Sequence, residues 1–171
     1  VFREIAKAVV LAVVLIYMVL AAEFESFSQP FVIMMSLPFA VIGAVLGLLV
    51  ANQTANMMAL IGFTMLLGLV TKNAILLIDY ANQARARGMA IREAVMEACS
   101  LRLRPILMTT LSTLLGMLPV ALGLGAGAEL RQSMGVVLIG GLTTSTILTL
   151  VVVPLIYILT EEWKISRTDK F

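Results

Sequence analysis

Lys72 stands inside an apolar run, with Leu66, Leu67, Leu69 and Val70 before it and Ile75, Leu76, Leu77 and Ile78 after it. It falls about three residues, roughly 5 Å at 1.5 Å per residue, from the middle of that run. An ammonium at such a depth in a bilayer costs about 2.5–3.5 kcal/mol, so it calls for a neighbouring anion, for water, or for a protein-lined cavity. Snorkelling is the bland alternative, but the side chain would have to reach past two helical turns to the interface. Asp79 lies seven residues on and on nearly the same helix face, but about 10 Å along the axis. That is too far for an ion pair, and Asp79 reads instead as a carboxylate at the end of the span, reachable by protons from that side. Glu4, Glu23, Glu25, Glu129, Glu161 and Glu162 lie near the ends of apolar runs or in loops. The counter-charge for Lys72 is therefore expected from outside this chain. Thr109, a little over one turn past Pro105, falls at a similar depth in another apolar run, and its hydroxyl can bond a lysine, a water or a carboxylate. Arg102 and Arg104 precede Pro105, whose missing N–H is tolerated in a first helical turn. Both also read as ordinary flanking cations.

The elements that must position these groups are membrane spans. Of 171 residues, 61% are hydrophobic and 13% charged, against roughly 45–50% and 25% in a soluble domain. Five stretches, about residues 6–22, 31–51, 57–81, 105–124 and 134–159, can each cross roughly 30 Å of hydrocarbon. The fold class expected is an all-α polytopic membrane bundle of five transmembrane helices, with no room for a sizeable aqueous domain. With no histidine, Ser-His-Asp and Cys-His nucleophiles and imidazole metal sites are excluded. The single cysteine, Cys99, excludes an internal disulfide or thiolate cluster. A net charge of +2 is a poor argument for nucleic-acid binding. No enzymatic constellation converges, and nothing calls for a cofactor. The G-L-G-A-G at 123–127 reads as a turn rather than a nucleotide loop. The chain starts at Val1 without an initiator Met, and residues 1–171 read as one transmembrane portion of something longer.

Orientation follows from the basic residues. Arg85, Arg87, Arg92, Arg102 and Arg104 in the 82–104 loop, with Lys164, Arg167 and Lys170 in the tail, outnumber Arg3, Lys7 and Arg131 on the other side. The positive-inside rule then places the loop and the C-terminus in the cytoplasm and Val1 outside. Phe24, Phe27, Phe31, Tyr157 and Trp163 fall near the cytoplasmic interface and read as aromatic anchors. Within the loop, Ile91, Ala94, Val95 and Ala98 recur at helical spacing. They predict a short amphipathic cytoplasmic helix, lying along the membrane surface or against another domain. Gly43 and Gly47 form a G-x-x-x-G, and hydroxyl residues crowd the last two runs from Thr109 to Thr113 and from Thr143 to Thr149. Small faces of this kind let helix backbones approach closely.

Four segments together resemble one known family: G-L-V-T-K-N-A-I-L-L-I-D-Y (68–80), R-L-R-P-I-L-M-T-T-L (102–111), G-A-E-L-R-Q-S-M-G (127–135) and E-F-E-S-F-S-Q-P-F (23–31). They resemble the C-terminal membrane portion of resistance-nodulation-division transporters, in the hydrophobe/amphiphile efflux branch of bacterial inner membranes. The resemblance implies a protomer of twelve spans in two halves, two large periplasmic domains, a homotrimer, and multidrug export driven by proton antiport. Residues 1–171 would be its last five spans, meeting membrane lipid outside and the N-terminal half inside. A periplasmic adaptor and an outer-membrane channel are further partners it leaves room for. In the family the lysine of K-N-A, here Lys72, pairs with two aspartates on the fourth span of the other half. Thr109, after R-P-I-L-M, and Arg102, the first arginine of R-L-R-P, match proton-path residues; Asn73 matches the motif. Asp79 would be a point where protons enter from the cytoplasm.

Other readings stay open on the residues themselves. A lipid or protein-export relative of the same superfamily shares the span pattern, though not the expected pairing of K-N-A-I with R-L-R-P-I-L-M-T. A non-transporting membrane scaffold would use Lys72 to bind a partner's acidic helix. Copper export is disfavoured because Met34, Met35, Met57, Met58, Met65, Met108 and Met117 sit in apolar runs, where gap-filling is the usual role.

Overall fold

The computed structural model describes residues 1–170, and they are helical nearly throughout. Six helices follow in order: α1 (Phe2–Phe24), α2 (Ser28–Met34), α3 (Ser36–Val50), α4 (Met57–Ala86), α5 (Ile91–Ala121) and α6 (Ala128–Thr168). Taking α2 and α3 as one broken span, five are long and apolar enough to cross a membrane, as the lengths of the apolar runs predict.

Local chemistry sets the boundaries. Glu25 adopts a left-handed φ of 48° and ends α1. The run expected at 31–51 splits because Pro38 has no N–H for the carbonyl of Met34. At the same break the Ser36 hydroxyl donates to the Ile33 carbonyl at 2.7 Å. Asn56 caps α4 by accepting from the Ala59 N–H at 3.0 Å. Gly88, at φ 92°, makes the tight turn into α5. α6 runs for 41 residues, roughly 60 Å or about twice the hydrocarbon thickness, so its last turns project beyond the apolar layer.

The expected 82–104 loop is corrected by these boundaries. α4 continues to Ala86 and α5 begins at Ile91, so only residues 87–90 connect them. The 91–98 segment is helical, but it is the first part of α5 rather than a separate surface helix. Pro105 lies inside α5, where it removes one backbone hydrogen bond without ending the helix. Ala94 is buried, and Val95 and Ala98 pack in one cluster with Leu77, Ile78, Ala81, Val153 and Tyr157 of α4 and α6. The apolar face is thus covered by this chain's own helices, neither by lipid nor by another domain.

α6 is the axis on which α3, α4 and α5 lie. Against α3 the backbones nearly touch: a Cβ on Gly43 would fall 2.4 Å from Thr144 Cβ, and one on Gly140 would fall 2.8 Å from the Gly43 carbonyl. Gly47 meets the Gly140 Cα in the same seam. α1 stands apart, with Leu20 as its one buried residue. Two apolar cores form, one from Leu37 to Leu48, Leu66 to Val70 and Val136 to Leu142, the other from Ala74 to Ala81, Val95, Ala98, Val153 and Tyr157. Between them lies a polar layer of Thr71, Asn73, Thr110, Ser145, Thr146 and Thr149, all buried.

Candidate functional site

Lys72 belongs to that layer but points out of it. It is exposed, whereas its neighbours Thr71, Asn73 and Ala74 are buried. On one side it shares a cavity of about 340 Å³ with Leu69, Asn73, Met108, Thr109, Thr110 and Ser112. On the other it borders an apolar groove of about 430 Å³ between α1 and α4. Among the described residues no carboxylate lies within 4.0 Å of its ammonium; the ion pairs present all involve other cations. The cavity wall opposite Lys72 carries hydroxyls from one stretch of α5, and Asn73, at 8% exposure, adds an amide.

The structure places the other sequence-derived candidates unequally. Thr109 is on the cavity wall, exposed, its hydroxyl turned onto its own helix toward the carbonyls of Pro105 at 3.1 Å and Ile106 at 3.0 Å. Arg102 is not in the cavity. Its guanidinium lies 5.3 Å from the centre of the Tyr80 ring, and its Nε is buried without a hydrogen-bond partner. Asp79 is exposed, accepts from Gln83 Nε2 at 2.9 Å, and makes no ion pair with Lys72. Gly43 and Gly47 are in the α3–α6 seam, away from Lys72.

A second polar cluster, at the end of the bundle that carries Arg85, was not recognisable from spacing. Gln29 and Asn82 exchange reciprocal amide bonds at 3.0 and 2.8 Å. The Tyr157 hydroxyl donates to Asn82 Oδ1 at 2.6 Å, and Arg85 bonds Glu161 at 2.7 Å. Tyr157 is 1% exposed, which corrects its reading as an interfacial anchor: the ring fills the second core and its hydroxyl is held by α4. Trp163, by contrast, is 60% exposed, with Arg167 stacked 4.4 Å from its ring. The one signal for this cluster was that Asn82, Arg85, Tyr157 and Glu161 lie at the ends of long apolar runs. Their mutual approach depends on how α2, α4 and α6 are rotated.

Five apolar helices, a polar layer across the middle and a lysine at that level with no carboxylate partner among the described residues define a multi-pass helical membrane protein. The AcrB/AcrD/AcrF family model matches residues 3–161, and the chain belongs to this family, the RND permeases. It is therefore an RND-type transporter chain, from a family of transporters rather than enzymes.

Proposed function

We propose that this chain supplies the lysine side of the proton relay in a proton-driven exporter of amphiphilic compounds. The observation that carries the reading is Lys72: a cation at mid-span, exposed beside a hydroxyl-lined cavity, with no carboxylate partner among the described residues. The acidic pair comes from the fourth span of the transporter's N-terminal half. While those carboxylates are ionised, they hold Lys72 in a low-dielectric layer; protonation weakens the attraction and frees the ammonium. Thr109 is an alternative partner on the same cavity wall, because its hydroxyl bonds only its own helix backbone and can turn. The helices then reseat, and the movement passes to the domains that hold substrate. Asn73 lines the same space, Arg102 belongs to the same proton path, and Asp79 is a point of proton entry from the cytoplasmic end. The protein works in the bacterial inner membrane with its N-terminus periplasmic and its C-terminus cytoplasmic. It is one part of a homotrimer that meets a periplasmic adaptor and an outer-membrane channel.

The test is Lys72→Ala in the full-length transporter. Insertion and expression are expected to be normal, with proton-coupled efflux of ethidium lost. Undiminished efflux at normal expression would sink the reading.

A further inference from the structure

α5 is loosely held through the membrane. Between Cys99 and Ala121 only Ile106 and Thr110 are buried; Leu114 and Met117 pack partly buried against the first core, and most of the remaining residues are exposed. Its two ends are seated by other means. Val95 and Ala98 anchor one end, and at the other Gly135 meets the Ala121 backbone so closely that a Cβ would lie 2.8 Å from its nitrogen. In between, the apolar contacts of Ile106, Leu114 and Met117 are non-directional and fix the rotation of the helix about its axis less sharply than a hydrogen bond does.

Thr110 supplies direction. Its Oγ1 lies 3.3 Å from Oγ1 of Thr146 on α6, and the two residues are 6% and 3% exposed. The other side-chain hydrogen bond between α5 and α6 among the described residues, Arg92 to Glu162, sits at the exposed end. Thr109 is the next residue on α5, so any rotation of the helix that breaks the Thr110–Thr146 bond also swings Thr109 along the cavity wall. α6 itself is seated on α3 through Gly43 and Gly140. The bond therefore references the loosely held helix to the most tightly packed part of the bundle.

We infer that Thr110 and Thr146 are positioning residues for the Lys72 site, their hydrogen bond setting the rotation of α5 that presents Thr109 to the cavity. This rests on the relay proposed above. A hydrogen bond suits the task because its strength falls steeply with misalignment, whereas leucine packing tolerates it. Removing one hydroxyl takes away the buried partner of the other, while removing both leaves a matched surface. Stability and positioning can thus be separated.

The experiment uses the full-length transporter in proteoliposomes, with ethidium efflux measured across a pH series and thermal unfolding followed in parallel. Thr110→Val and Thr146→Val are each expected to lower transport roughly three- to tenfold, as one lost positioning hydrogen bond would. Each should also move the pH of half-maximal transport, because a displaced Thr109 competes differently for Lys72. The double valine variant should recover the unfolding temperature but keep the altered pH profile. Serine at both positions should restore the original profile. Thr149→Val is the control: Thr149 is 3% exposed on α6, close to Thr146 in sequence, and its hydroxyl has no partner. Its removal should leave the profile unchanged. A double valine variant with the parental pH profile overturns the positioning role. Lys72→Ala, run alongside, separates the two ideas. If it exports normally, the relay fails and the positioning role with it. If it is inactive while the threonine variants match the parent, only the positioning role falls.

Discussion

Arg85 of α4 and Glu161 of α6 are joined by a 2.7 Å ion pair, although 76 positions separate them in sequence. Glu161 is only 9% exposed at its side chain, and Lys164 approaches its other oxygen at 3.4 Å. The pair closes the end of the bundle where α4 turns toward α5. Breaking it leaves a charge poorly compensated, which costs about 3–5 kcal/mol for a fully buried pair. Arg85 keeps 29% exposure, so Arg85→Ala is expected to cost less, roughly 2 kcal/mol, read as a lowered unfolding temperature in detergent. An unchanged melting temperature would mean that solvent screens the pair completely.

The glycine seam predicts opposite effects for two glycine-to-alanine changes. Gly43→Ala places a methyl 2.4 Å from Thr144 Cβ, on a residue buried between two helices that cannot both give way. Overpacking of this kind costs about 1–3 kcal/mol or more. Gly116 has nothing within 4 Å of its would-be Cβ. Gly116→Ala should therefore stabilise by roughly 0.5–1 kcal/mol, the usual gain in a helix interior. Thermal unfolding of the two variants side by side checks the sign of each.

Lys72→Leu should change sign with context. In an insertion assay on the α4 segment, removal of the cation should favour insertion by about 2.5–3.5 kcal/mol. In the full-length transporter the same substitution should lower thermal stability, because an acidic partner would be left buried without its counter-charge. A stabilising effect in both settings would argue that no acidic helix meets Lys72.

Tyr157→Phe removes the donor that reaches Asn82 at 2.6 Å while leaving the ring in the core. Loss of the bond, with the Asn82–Gln29 pair still in place, should cost about 1–2 kcal/mol. Trp163→Phe, at an exposed position, should stay within about 0.5 kcal/mol. Equal effects would mean that Tyr157 is held by its ring alone.

Much of the fold was legible in the chain because apolar length and charge placement are local properties. Five runs long enough to span, a lysine stranded in one of them and a G-x-x-x-G in another need no knowledge of neighbours to be seen. Family membership was legible for the same reason, since its motifs are contiguous. The boundaries at 82–104 were not, because a proline that can start a helix can also lie within one, and only packed neighbours decide which.

What the sequence by itself determined is that the chain is helical, that it is apolar enough to cross a membrane five times, and that Lys72 is a charge in need of a partner. What only the tertiary structure decided is which residues meet: Thr110 with Thr146, Tyr157 with Asn82, Arg85 with Glu161, and Arg102 with Tyr80 rather than with the lysine. The physical reason is rotation. Hydropathy is a sum along a helix and survives any turn about its axis, whereas hydrogen bonds depend on which face looks where, and that is settled by close approaches such as Gly43 against Gly140.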